Sequence, residues 1–427
     1  MKLLIKQGKL IDPVGGIGGK LDILIEDGRI VLIGSQLDEP YAQVLDASGL
    51  VVSAGLIDMH VHLRDPGLTY KEDILTGTAA AAHGGFTSIA CMPNTKPTTD
   101  SPEVVHYIRE KAATGCGVQV FPVGAVSKGL QGKEMTNPKE LKEAGCVALS
   151  DDGMPIMDAN LMRDAMMRAA RSKMTILCHE EDLNMVRNYA VNEGRVSRQL
   201  GIPGRPAIAE ELMIMRDAML AEEMGLPVHI CHISTAKGVD IVRRYKRRGV
   251  KITCETCPQY FTLTHEEVLR QGSMARVNPP LRPTKDMEAI AEGLRDGTID
   301  CIVTDHAPHS AEEKAKSLTE APSGMVGLET SLAITLTQLY HTGKMTLTDV
   351  IRKMTINPAK ILHLRKGVLT LGADADLTIF DPNEEWVIDP NEFRSKGRNT
   401  PFAGRKVKGK VKYTIVGGKV IYNAFEE

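Results

Sequence analysis

The chain has no run of 18 or more apolar residues, so no segment is expected to cross a bilayer as a helix. Net charge is nearly absent too: 52 Lys and Arg against 54 Asp and Glu leave −2 over 427 residues, and no stretch is strongly basic. That balance argues against nucleic acid or an anionic membrane as a partner. The one basic cluster, Lys406 to Lys412, is interrupted by Val and Gly and is read as one solvated strand face. No leader is expected at the N-terminus, where Met1-Lys-Leu-Leu-Ile-Lys-Gln-Gly8 has a short apolar run that passes directly into a strand pattern. A reducing cytoplasm follows from that expectation. Five of the eight Cys (Cys91, Cys146, Cys178, Cys231 and Cys301) lie in apolar strand-like runs, where a thiol behaves as a small core group. Cys254 and Cys257 form a single Cys-x-x-Cys without the second pair that a structural zinc site needs, so a plain structural role is expected for them. Internal repeats and low-complexity segments are missing as well. What remains is a globular chain long enough for one large domain, or a large one with a small one.

The middle of the chain alternates short β-rich runs with longer helical patterns. The runs are Leu56–His62, Thr87–Met92, Val118–Val123, Cys146–Leu149, Met174–Cys178, Val228–His232, Lys251–Cys254 and Cys301–Thr304. Between them lie helical stretches such as Asp73–Ala82, Glu103–Thr114, Ala159–Ser172 and Pro206–Met224. Parallel strands require crossovers of this length, so eight such units predict a (β/α)8 TIM barrel, an α/β fold. The ends differ. Lys2–Lys6, Asp22–Glu26, Arg29–Ile33 and Gln43–Asp46 read as short strands, with a hairpin turn at Glu26-Asp27-Gly28. Leu377–Phe380, Trp386–Ile388, Lys410–Val416 and Lys419–Tyr422 read likewise, with a two-glycine turn at Val416-Gly-Gly-Lys419. Residues 1–54 and 367–427 are therefore expected to pair into one small composite β-sandwich domain, with the barrel, residues 55–366, inserted in it.

Side chains at i and i+2 of a strand share a face, so His60-Val61-His62 aims two imidazoles into one space. That space is the C-terminal end of the first barrel strand, where such barrels keep their active sites. Alone, His-x-His is a weak signal. It gains force from His179, His232 and Asp305, each placed where an apolar run stops, and from Asp152 just beyond another run. Six metal-capable groups thus converge on one barrel mouth. Four His with carboxylates suit zinc or a similar borderline metal, and they suffice for two ions with positions left open for water. Plainer roles are expected elsewhere. His229, three residues before His232, is assigned to the opposite strand face as packing or support. His83, His106, His265, His341 and His363 are read as surface or capping residues, Asp151 as a cap or supporting carboxylate, and Met162, Met166 and Met167 as core.

At finer grain the motifs resemble one family. His60-Val-His-Leu-Arg-Asp-Pro-Gly67, Met92-Pro-Asn-Thr-Lys-Pro97, Asn278-Pro-Pro-Leu-Arg282, Thr304-Asp-His-Ala-Pro-His309 and Gly327-Leu-Glu-Thr330 are similar to the signature blocks of the type I dihydroorotases of the amidohydrolase superfamily. Gly372-Ala-Asp-Ala-Asp-Leu377 matches the superfamily more broadly. The resemblance implies a zinc-dependent hydrolase that interconverts dihydroorotate and N-carbamoyl-aspartate. It implies that His60 and His62 bind one zinc, that His179 and His232 bind a second, and that Asp152 is shared between them. Asp305 would be a ligand and the catalytic base. Arg64, Asn94 and His309 would hold the substrate beside His62, with Asn278 nearby; Arg64 offers the planar donor fork that a carboxylate needs. The family usually has an aromatic residue before Gly in the loop preceding Gly327. Here the loop reads Ala321-Pro-Ser-Gly324, so Ser323 changes its fit while a backbone contact from Gly324 is still expected. Related hydantoinases, dihydropyrimidinases and allantoinases commonly bridge their metals with a carbamylated Lys, yet no Lys occurs from Cys146 through Asn160. A homodimer, or a complex with aspartate transcarbamoylase, is also implied by resemblance. The stretch between Ala307 and Gly327 has the length and composition of a lid.

Overall fold

A computed structural model describes residues 2–16, 18–187 and 189–426. The chain opens with five strands, β1 (Lys2–Ile11), β2 (Gly18–Glu26), β3 (Arg29–Gly34), β4 (Gln43–Asp46) and β5 (Val51–Ala54). The barrel strands begin with β6 (Leu56–Val61), β7 (Phe86–Cys91), β8 (Gln119–Gly124), β9 (Ala148–Leu149) and β10 (Thr175–Cys178). A two-stranded ribbon of β11 (Val191–Asn192) and β12 (Gly204–Arg205) intervenes. The barrel then resumes with β13 (Val228–Ile230), β14 (Ile252–Thr256) and β15 (Cys301–Ile302). The chain ends in β16 (Leu377–Val387), β17 (Lys406–Val416) and β18 (Lys419–Asn423).

Strands β6 to β10 and β13 to β15 pair in parallel, in chain order, as the eight-unit pattern predicts. Every residue of β6 and β7 is buried, which is why these runs carry little polar alternation. Helices cross between the strands. Pro102 opens the helix Pro102–Ala113, and Asp73 caps Ile74–His83 in a reciprocal capping box with Thr76. The first and last strands meet through an isolated parallel bridge between Val61 and His306, where the His62 N–H donates to the His306 carbonyl at 2.8 Å. The buried Asp58 carboxylate reinforces that seam. One oxygen accepts from the His60 N–H at 3.0 Å and the other from the Thr304 N–H at 3.1 Å. Burial pushes Asp58 up to about 7, against the lowering effect of its Thr304 contact.

The chain's two ends share one sheet in the order β18-β17-β16-β5-β1-β2-β3, with β4 also on β1. Strand β1 changes neighbours along its length, pairing β4 through Leu3–Lys6 and β5 through Lys9–Ile11. The switch falls at a bulge before Gly8, where a Cβ would meet Val52 Cγ2 at 2.4 Å. The two hairpin turns come together as well, since the Gly418 N–H donates to the Ala375 carbonyl and the Ala375 N–H to the Gly28 carbonyl. Ile5, Ile23, Ile25, Val52, Leu377, Ile379 and Ile415 fill a second core inside this folded sheet. The expected sandwich is thus one continuous sheet curled over its own apolar side. Three details differ from the sequence reading. β5 lies against β6 with only Gly55 between, so no turn announces it. β16 is one strand with an irregularity between Asp381 and Glu385, where the sequence pattern shows two runs. The β11–β12 ribbon is too short to give any periodicity.

Gly67 shows how tightly the mouth loops pack. It has φ +91°, and a Cβ would lie 1.9 Å from the Lys96 carbonyl oxygen. Gly67→Ala is therefore expected to lower stability by at least about 2 kcal/mol, from backbone strain plus overpacking. Thermal or denaturant unfolding measures it, and an unchanged midpoint would show that the two loops yield freely.

Candidate active site

All six groups expected at the mouth meet there. His60 Nε2, His179 Nδ1 and His232 Nε2 each lie 3.5 Å from one oxygen of Asp152, and His62 Nε2 lies 3.5 Å from the other. Asp305 Oδ1 is 3.1 Å from His62 Nε2 and 3.7 Å from His60 Nε2. His179 Nδ1 and His232 Nε2 are 3.0 Å apart. Each of the six is nine-tenths buried or more. Burial alone raises a carboxylate, but the His60 charge and contacts from His179 and His232 outweigh it and hold Asp152 well below the usual range.

The backbone pays a conformational cost at this rim. Arg64, His232 and Asp305 have φ of +60°, +30° and +48°, all in the left-handed region that side chains with a Cβ avoid. Each lies two or three residues beyond the end of its strand, where the turn redirects the side chain. This explains a departure from the sequence reading. Strict alternation puts His229 and His232 on opposite faces, yet both reach groups around His60. His229 Nε2 lies 3.2 Å from Glu255, whose other oxygen accepts from His60 Nδ1 at 2.6 Å, while His232 faces Asp152. The supporting role expected for His229 holds; the face does not.

Outer groups fix the tautomers. A His60 Nδ1–H to Glu255, and a His62 Nδ1–H to Asn94 Oδ1 at 2.9 Å, aim both Nε2 atoms into the site. His179 Nε2 lies 3.3 Å from Asn278 Nδ2 and 3.7 Å from Glu181, so Nδ1 is the ring nitrogen that faces Asp152. Four ring nitrogens thus converge on Asp152. Among the described residues, His60 Nε2 and Asp152 Oδ1 are buried without any hydrogen-bond partner. His60, His62 and Asp305, and also His60, Asp152 and His232, hold donor atoms close enough to share one ion. This mixed nitrogen and carboxylate set fits a divalent cation of borderline softness. Glu255 had no motif to mark it; its only sequence signal is a carboxylate inside a strand run, at Thr253-Cys-Glu-Thr256.

A second group of residues stands beside the metal-capable set. Arg64, 9% exposed, donates from Nε to the Pro308 carbonyl at 3.2 Å, and its Nη2 lies 3.4 Å from His309 Nε2. His309 donates from Nε2 to the Ser323 carbonyl at 2.8 Å and takes Lys71 Nζ at Nδ1, 3.3 Å away. Burial, and then the Arg64 and Lys71 cations, push His309 down to about 2, so it is neutral. Ser323 Oγ accepts from Arg276 Nε at 3.3 Å, which gives the unusual serine a definite partner. Gly324 departs from expectation. Its N–H donates to the Arg276 carbonyl, and its own carbonyl accepts from Lys314 Nζ and Asn399 Nδ2, both at 3.1 Å. No N–H is left there for a ligand. Its φ of +137° and a Cβ position 2.8 Å from Ala307 Cβ give the reason for glycine. Asn278 supports from the side: its Oδ1 accepts from Arg205 while its Nδ2 faces His179. The Ala307–Gly327 stretch is stapled by buried Lys314, whose Nζ also donates to the carbonyls of Arg276 and Pro322. Of the histidines read as surface residues, His265 is buried and His83 pairs with Glu329 at 2.5 Å. His306, which the sequence did not single out, is buried with Nε2 at 3.3 Å from Glu72 and Nδ1 accepting from the Gly327 N–H. Asp151 accepts from the N–H groups of Val126 and Ser127, a supporting carboxylate as read.

With this geometry in place, the comparisons with known proteins are specific. A family model described as Dihydro-orotase-like matches residues 49–238. A dihydroorotase of Pelotomaculum thermopropionicum is 51% identical over 421 residues, 99% of this chain and 98% of that one. A dihydroorotase of Ruminiclostridium cellulolyticum is 51% identical over 418 residues, 98% of each chain. Among solved structures, an L-hydantoinase (dihydropyrimidinase) from Arthrobacter aurescens has a TM-score of 0.89 at 27% identity, covering 99% of this chain and 96% of that one.

The Glu255 contact yields a direct test. Glu255→Gln keeps the shape but removes the charge that orients His60, so divalent-metal affinity is expected to fall about 10- to 100-fold. Chelator competition followed by metal analysis reads this without an activity assay. Undiminished affinity would deny Glu255 that role.

Proposed function

This chain belongs to the dihydroorotase family, and from that premise we propose that it interconverts (S)-dihydroorotate and N-carbamoyl-L-aspartate for pyrimidine (UMP) biosynthesis, with zinc as cofactor. The observation that carries the reading is the placement of Asp152. One of its oxygens stands 3.5 Å from each of three imidazoles, where related cyclic amidohydrolases use a modified Lys. In this reading His60, His62 and Asp305 hold one zinc, His179 and His232 hold a second, and Asp152 serves both. Bound metal there supplies a nucleophile at neutral pH and polarises the ring amide carbonyl.

The chain's own groups do the rest. Arg64 lies beside the metal-capable set and offers two parallel N–H donors to the substrate carboxylate. His309, neutral, fixes the Arg64 side of that pocket. Asn94 spends its Oδ1 on His62, which leaves its amide N–H groups for the substrate. Asp305 takes the proton of the attacking water at a carboxylate oxygen and delivers it to the ring nitrogen as the amide bond breaks. Ring closure runs the same transfers backwards, so one group serves as base in one direction and acid in the other. The left-handed turn at Asp305 places its carboxylate 3.1 Å from His62, inside the site. The same reading treats residues 1–54 and 367–427 as one β unit around the barrel of 55–366, and places the enzyme in the cytoplasm as a homodimer able to join aspartate transcarbamoylase. No described helix is long and apolar enough to cross a membrane.

Two variants and one panel test this. Asp305→Ala is expected to lower kcat by at least ~10²-fold, the usual size of a proton-transfer contribution; near-normal turnover removes Asp305 from that role. Arg64→Lys, which loses the planar fork, is expected to raise KM for dihydroorotate about tenfold or more. Assays of one metal-analysed preparation against dihydroorotate, hydantoin and allantoin decide the substrate, and preference for either of the last two overturns the reading.

A further inference from the structure

The segment between β16 and β17 belongs to the part of the chain that builds the second sheet, yet residues 395–399 return to the barrel mouth. Asn399, 2% exposed, is buried there. Its Oδ1 accepts from the His309 N–H at 3.1 Å, and its Nδ2 donates to the carbonyls of Ala307 at 3.0 Å and Gly324 at 3.1 Å. Its own carbonyl accepts from the Val326 N–H at 2.9 Å. A primary amide has one acceptor and two N–H donors, and here all three are used on two separate loops. No carboxylate could replace it, because two carbonyls face the nitrogen.

The rest of the segment locks this amide in place. Ser395 Oγ donates to Glu72, and the Lys396 N–H donates to the other Glu72 oxygen at 3.2 Å. The first of those Glu72 oxygens also lies 3.3 Å from His306 Nε2. Gly397 passes so close that a Cβ would lie 2.6 Å from Val326 and 2.8 Å from Pro308. Pro308 is the residue whose carbonyl receives Arg64 Nε. The segment therefore touches both loops that carry the Arg64 and His309 pocket, through backbone at Gly397 and Asn399 and through the Asn399 side-chain amide.

We propose that Asn399 is a positioning residue for substrate binding: it fixes the His309 loop against the Ser323–Gly324 loop, and so sets the carboxylate pocket at the right distance from the metal-capable groups. The inference rests on the reading that Arg64, backed by His309, receives the substrate. Asn399 touches neither substrate nor metal-capable groups, so its loss acts on binding and leaves the proton transfer at Asp305 intact.

The test uses the full-length, metal-loaded enzyme as Asn399→Asp, Asn399→Ser and His309→Ala, with Asn399→Ser combined with His309→Ala. Asn399→Asp is expected to raise KM for dihydroorotate about tenfold, and Asn399→Ser less, with kcat within about threefold of the parent and metal content unchanged. In the His309→Ala background, Asn399→Ser adds no further rise, because the two act on one pocket. A fall in kcat or bound metal without a KM change overturns the proposal, as does a full additive rise in the double variant. Failure of both Asn399 variants to fold assigns the residue to stability and overturns it too. If His309→Ala itself leaves KM unchanged, the substrate reading of that pocket fails, which is a separate result.

Discussion

The mouth of this barrel is organised around the charge of Asp152. Its carboxylate is 5% exposed, and one oxygen has no hydrogen-bond partner among the described residues. An ionised carboxylate in that position costs several kcal/mol unless positive charge offsets it. Four imidazoles surround it, and three of them have an outer group that fixes their orientation: Glu255 for His60, Asn94 for His62 and Asn278 for His179. The strands had to end where they do for these rings to reach one point. The left-handed residues at the strand ends follow from the same demand, since an extended continuation would carry the side chains past the centre.

Most of the architecture was legible because barrel strands are buried on both faces and so read as apolar runs that stop abruptly at polar residues. His60, His62, His179, His232, Asp305 and Asp152 stood out for that reason, and all six meet. The family resemblance added Arg64, Asn94, Asn278, His309, Ser323 and Gly324, and the structure sorts their positions. Arg64 and His309 are neighbours. Asn94 and Asn278 lie against metal-capable rings. Gly324 has its N–H and its carbonyl engaged elsewhere. What was not legible depends on three-dimensional partners. Glu255 and His306 lie in or beside strands without a spacing signal, and their roles exist only through His60 and Glu72. The face of His229 was misassigned because alternation assumes an extended backbone, and His232 leaves it. β5 escaped notice because Gly55 alone separates it from β6.

The loops at the mouth are held by polar and ionisable side chains placed out of water. Lys314 donates to three carbonyls, Glu72 accepts from a hydroxyl and a backbone N–H beside His306, and Asn399 ties two loops. The Ala307–Gly327 loop is anchored at Lys314, Pro322 and Gly324. The stretch read as a lid from its composition has contacts from both the barrel and the segment between β16 and β17.

That outer sheet has a consequence for how the chain is made. β5 pairs with β16 from Val51 to Ala54, and the Leu56 N–H donates to Thr378 Oγ1, a partner 322 residues later in the chain. During synthesis at ~5–20 residues per second, the β5 edge waits roughly 16 to 65 seconds for its neighbour. Until then the nascent chain presents an unpaired apolar strand edge, a template for pairing with other chains. Contacts this distant in sequence form slowly because the intervening loop must first be closed. Completion of the sheet thus reports that the whole barrel has been translated, and yield in a cell will depend on shielding the N-terminal strands until the last sixty residues arrive.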